Sequence, residues 1–372
     1  MDKYIEQFIT KYQNRIGFNS YIENCFTTNL SEYYKTHNNT IYYNVIQKEK
    51  QQKELHSLFK IEIDKLFNYA INNDINLLGL KGFFLESQCW EKTRFYNDID
   101  ILLSIDDIEK LKQFFLDEEY QLINNRKYFT KKKYIPLNKI TNINLIKTHH
   151  IVLRKTLPSA YSNHENVIEL ELHGNINSLK LSNFNNNKLL NEKLIYKNYY
   201  ILSNENQLLY LCYHTIQHLP YIRHNISNFY VKLDCFVDVA NLINKEQINW
   251  QQVITNAIEY KIVPICSLFF KMFTEIYYDL IPEYVIILFN NLSNTETFKW
   301  KNIYKKLMTI DSYNLICGNF NDFIILKKEF SKITKVFGDN LENTYVKKIA
   351  MEIWKLKLKK INLITKSQKK KD

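Results

Sequence analysis

One stretch constrains the fold more than any other: LLGLKGFFLESQCWEKTRFYNDIDILLS, from Leu77 to Ser104. It continues a short apolar run, Ile75–Leu80, of strand length, and breaks at Lys81-Gly82 into a helical pattern from Gly82 to Trp90. A second strand, Asp98–Ser104, follows. The whole chain has 6 glycines, and Gly79 and Gly82 stand within one short turn of each other, which marks a tight turn or a close backbone approach. Alternate residues of a strand share a face, so Asp98 and Asp100 project together with Cα atoms about 6.6 Å apart. Ile99 and Ile101 point into a core. Two anions on one face repel unless a cation lies between them. A hard divalent ion suits that position, since magnesium takes one or two carboxylates together with substrate phosphates. An acidic edge strand would also contain Asp-x-Asp, so the neighbouring residues decide.

Lys81 adds a positive charge at the strand-to-helix turn, where free N–H groups bind phosphate and glycine lets the backbone approach an anion. Arg94 precedes the acidic strand and is suited to bidentate phosphate contact, with an ordinary ion pair to Glu91 or Asp98 as the plainer alternative. Further on, VIELELHG (167–174) places Glu169, Glu171 and His173 on one face of a strand and Ile168, Leu170 and Leu172 on the other. A carboxylate from this strand beside Asp98 and Asp100 would complete the three-acid cluster that two-metal nucleotidyl or phosphoryl transfer requires. Either Glu169 or Glu171 could supply it.

Strands interleaved with helices over residues 53–180 predict an α+β domain with a small mixed sheet and flanking helices. A helical N-terminal segment (1–52) is expected before it. Helical periodicity from Ser203 or Asn204 onward predicts an all-helical domain over 200–354. The net charge is +11, of which residues 355–372 carry +7 as a lysine-rich tail, expected to be solvated. The six cysteines show no C-x-x-C spacing. Without a signal peptide or a long apolar run, a cytoplasmic protein with no membrane span is expected.

Leu-Lys-Gly, then Arg94, then Asp-Ile-Asp-Ile-Leu, then Glu-Leu-His-Gly resembles the uncharacterised nucleotidyltransferase family of the polymerase-β-like superfamily. The resemblance covers roughly residues 55–245. It implies that Asp98 and Asp100 are metal ligands and that Glu171 is the third acid and the base for an acceptor hydroxyl. It places Lys81 and Gly82 at the β- and γ-phosphates. LCYHTIQHL (His214, His218) and KLDCFVDVANLI (Asp238) fit the family's helical part. These histidines, four apart on one helical face, could meet base or phosphate, although core histidines are the commoner outcome of such spacing. The implied function is transfer of a nucleoside monophosphate from an NTP, ATP being favoured, to a small molecule, peptide or natural product, with Mg2+ or Mn2+. An RNA-modifying enzyme or toxin of the same superfamily is the first alternative, and a non-catalytic nucleotide-binding protein the second. Acceptor, preferred base and oligomeric state are not legible in the residues.

Overall fold

In the computed structural model, the described residues are 3–15, 35, 39–90, 94, 96, 98–123, 134–135, 151–157, 166–177, 182–218, 233–298 and 300–317. Their strands form one 8-stranded mixed sheet in the order β4-β3-β5-β6-β2-β1-β8-β7. The strands are β1 (Leu77–Gly79), β2 (Ile99–Leu103), β3 (Gln121–Ile123), β4 (Tyr134–Ile135), β5 (Ile151–Leu157), β6 (Asn166–His173), β7 (Leu194–Tyr196) and β8 (Tyr199–Ile201). β1 runs antiparallel to β2, and β2 runs parallel to β6. Every residue of β1 and β2 is buried, as expected of central strands covered on both faces. The expected α+β class is what the structure shows.

Two apolar layers sandwich the sheet. On one face, Leu77, Ile99, Ile101, Leu103, Leu170 and Leu172 pack against α2 (Asn39–Asn72) and α4 (Ile108–Asp117). On the other face, Leu78, Leu80 and Leu102 join the core of the helical half. Asp100 alternates with Ile99 and Ile101, so the acidic face is the one turned toward the helical half. That half is built from α6 (Asn204–His218), α7 (Leu233–Lys245), α8 (Trp250–Glu259), α9 (Val263–Ile276), α10 (Glu283–Thr295), α11 (Lys301–Thr309) and α12 (Ser312–Cys317). α1 (Lys3–Tyr12) also packs there, with Tyr277 Oη donating to the Tyr4 carbonyl at 2.9 Å. α3 (Phe83–Cys89) links β1 to β2, and α5 (Asn186–Asn191) precedes β7.

Several local expectations shift. The boundary between residues 52 and 53 falls inside the continuous helix α2, which starts at Asn39, while residues 3–15 pack with the helical half. Sheet structure continues to Ile201 through the β7–β8 hairpin. A 3-10 turn, Ile105–Asp107, stands between β2 and α4. There the Asp107 carboxylate accepts from the Asn76 N–H at 2.9 Å instead of capping by its own side chain. The lysine run 131–133 and the basic tail lie outside the described residues. Among the described residues no helix is long and apolar enough to cross a membrane.

Candidate active site

β2 and β6 are in register so that Asp100 stands directly opposite Glu171. Residues directly opposite on paired strands share a face, and like charges there destabilise the sheet unless something positive intervenes. Two groups do so at Asp100. Lys81 Nζ lies 3.0 Å from Oδ2, and His173 Nε2 lies 3.0 Å from Oδ1. The Asp100 side chain is 2% exposed and that of Glu171 21%. One carboxylate is therefore held inside the protein while its partner reaches solvent.

The electrostatics are dominated by burial and by these close pairs. Burial opposes the charge of Asp100, but Lys81 and then His173 outweigh it and hold the carboxyl well below the usual carboxylate range. Asp100 is therefore ionised and accepts, and His173 donates. Burial likewise acts against the Lys81 ammonium. Asp100 foremost, then Asp98, Tyr210 and Glu171, outweigh it and hold the ammonium protonated well above its ordinary pKa. Asp98 precedes β2 on the same face and is half-buried. The Tyr210 hydroxyl, carried by α6, is pushed well up by burial, with Asp100 the next cause. The helical half thus supplies a wall of the site.

Register and pairing distinguish the two glutamates of β6. Glu169 stands opposite Arg154 and is bound to it in an ion pair. Glu171 stands opposite Asp100. Ligand atoms of Asp100, Glu171 and His173 all lie within 4.8 Å of one another. The two carboxylates offer oxygen donors of the kind that a magnesium or manganese ion takes, while His173, engaged through Nε2 with Asp100, orients that carboxylate. Strand alternation places His173 on the face of Glu169 and Glu171, but no role at the site is expected of it from the sequence.

Gly82 has φ +64°, a left-handed conformation that glycine adopts without strain. It turns the chain from β1 into α3 beside the Asp98 carbonyl. Gly79 answers a different demand: a β-carbon there would collide with the Phe84 ring. Arg94 is buried, and its guanidinium grips Asp238 with two bonds, Nε to Oδ1 at 2.6 Å and Nη2 to Oδ2 at 2.7 Å. His214 is half-buried on α6 with its ring 5.8 Å from that of Tyr210. The His218 side chain lies outside the described residues.

The family described as Uncharacterised nucleotidyltransferase matches residues 20–277. Comparison with curated proteins gave no match.

Proposed function

The chain belongs to the uncharacterised nucleotidyltransferase family, and from that premise we propose that it moves a nucleoside monophosphate from an NTP, ATP foremost, to a hydroxyl-bearing small molecule, peptide or natural product. The observation that carries this reading is the register pair Asp100–Glu171, with Lys81 and His173 on the two oxygens of Asp100. Asp98, Asp100 and Glu171 would hold Mg2+ or Mn2+. Bound divalent ions supply Lewis-acid neutralisation of the phosphates and make an acceptor hydroxyl easier to deprotonate.

The chain's own groups take distinct roles in this reading. Asp100, buried and ionised, contributes fixed negative charge that needs no reorganisation when the reaction begins. Glu171 is the more exposed acid and takes the acceptor's proton, because an incoming hydroxyl can reach it. Lys81 offers its ammonium to the triphosphate, and Gly82 lets the backbone lie close to it without a side chain between. Tyr210 and His214 on α6 flank the acids on the side taken here for the nucleotide, with His218 one turn further along the same helix. Arg94 serves the site through Asp238 and not by touching phosphate.

The test is transfer of label from each of four NTPs, labelled at the α-phosphate, with Mg2+ and panels of small hydroxyl compounds, peptides and RNA. Label in a small molecule or peptide together with pyrophosphate supports the proposal. Label in RNA moves the acceptor to nucleic acid. NTP binding without transfer to any acceptor leaves only a nucleotide-binding role.

A further inference from the structure

We infer that Asp238, in the helical half, is a positioning residue that clamps the segment carrying Lys81, Gly82, Asp98 and Asp100; its consequence for turnover rests on the proposed nucleotidyl transfer. Those four residues lie within twenty positions of sequence, on either side of α3. Asp238 takes hold of this segment twice. Its Oδ1 accepts from Trp90 Nε1 at 2.9 Å, directly after α3, and from Arg94 Nε at 2.6 Å, four residues before Asp98. Its Oδ2 accepts from Arg94 Nη2 at 2.7 Å. Asp238 and Arg94 are 1% and 7% exposed, so the grip lies inside the interface and not on a solvated rim. One carboxylate from α7 therefore fixes both the exit of α3 and the approach to β2.

Other bonds lead to the same segment. The Gln207 side-chain amide on α6 donates to the Leu80 carbonyl at 2.6 Å, immediately before Lys81. Gln88 Nε2 donates to Asn204 Oδ1 at 2.8 Å. The Arg94 backbone N–H donates to Glu86 Oε1 at 3.3 Å, and Glu86 also meets His56 of α2 at 3.1 Å. The segment is thus held from the helical half at its start, its middle and near its end. A buried bidentate pair is a poor way to gain stability, because desolvating both charges offsets most of their attraction. It is a good way to fix geometry, because two parallel N–H···O bonds set both distance and orientation. Here the fixed geometry is the spacing between the Lys81 ammonium and the carboxylates of Asp98 and Asp100.

The experiment exploits that difference. Asp238→Asn leaves a buried guanidinium uncompensated and should lower the melting temperature. The double variant Arg94→Met/Asp238→Leu removes both charges together and should restore it, as apolar replacement of a buried pair commonly does. If the pair is a clamp, the restored protein still transfers poorly: kcat falls by roughly 100-fold, the scale of a misplacement near 1 Å, while KM for the NTP changes little. Amide exchange should rise over Lys81–Trp90 and Ile99–Leu103 and stay unchanged in β5. A double variant that recovers the melting temperature, turnover and native exchange together overturns the inference. Should the double variant not fold, Trp90→Phe and Arg94→Lys carry the test. Each keeps the bulk of its side chain and deletes or misplaces a donor to Asp238, and native exchange in both would equally overturn the clamp. A wild-type chain that transfers to no acceptor would defeat the proposed function, while the exchange measurement still decides whether Asp238 holds the segment.

Discussion

Gly79→Ala isolates what the first glycine of the turn does. Gly79 is a strand residue without positive φ, so alanine fits its backbone and would gain about 0.5–1 kcal/mol from reduced unfolded-state freedom. Packing opposes this. A β-carbon at Gly79 runs into the Phe84 ring, and that ring has no room to move. Phe84 is buried, with Phe67 at 5.5 Å, Phe83 at 5.4 Å and Tyr199 at 5.9 Å between ring centroids. Nor can the strand retreat, because Gly79 is paired with Ile101 on one side and Ile201 on the other. Overpacking a rigid core costs about 1–3 kcal/mol, so the net effect should be about 1–2 kcal/mol destabilising once the entropy gain is deducted. Phe84→Leu removes the obstructing ring edge, and the double variant should cost less than the sum of the singles by about 0.5 kcal/mol or more. Urea unfolding of the four proteins, with midpoints read at unchanged slope, measures this cycle. A Gly79→Ala midpoint at or above wild type, or strict additivity with Phe84→Leu, would refute the packing explanation.

Further substitutions separate the roles around the acids. His173→Gln can place an amide N–H where Nε2 stands and should keep Mn2+ affinity near wild type, whereas His173→Ala should lower it by about 10–100-fold; titration by electron paramagnetic resonance reads both, and equal loss in the two variants would mean that the imidazole does more than hold Asp100. Glu171→Gln should retain Mg–NTP binding and lose acceptor turnover, while Glu169→Gln should keep turnover because Glu169 serves Arg154; steady-state transfer assays decide, and the reverse ranking would assign the third acid to Glu169. Gly82→Ala forces a side chain into φ +64° and should cost about 1–2 kcal/mol, seen as a lower urea midpoint; no shift would mean that the turn relaxes to negative φ.

Much of the site was legible because strand alternation is a strict rule. It put Asp98 with Asp100, and Glu169, Glu171 and His173 together, before any pairing was known. Which glutamate meets Asp100 depends on the β2–β6 register, a long-range property that no local pattern encodes, and the same register brings His173 beside Asp100 from the opposing strand. Arg94 illustrates the limit differently. Its charge suggested phosphate, but its partner Asp238 lies 144 positions away in sequence, and only the docking of the helical half brings the two together. The β7–β8 hairpin escaped notice because its turn has positive φ at Lys197, where the usual Asn-Gly or Asp-Gly signal is absent. The continuity of α2 across residue 53 was hidden differently: the polar run QKEKQQKE (47–54) interrupts the apolar pattern between Ile46 and Leu55, so two helical stretches read as separate.

The central claim is that the carboxylates on the β2–β6 face carry metal-dependent nucleotidyl transfer, and Asp100→Asn tests it most directly. Asparagine keeps the size of the side chain and can still bond His173, so the sheet should fold. It cannot supply the negative charge that Lys81 and divalent ions balance. Pyrophosphate release from NTP with Mg2+ and an acceptor found in the label-transfer screen should fall by about two to three orders of magnitude or more, with circular dichroism unchanged. Near-normal release from the Asp100→Asn protein would contradict the assignment of this face as the catalytic centre.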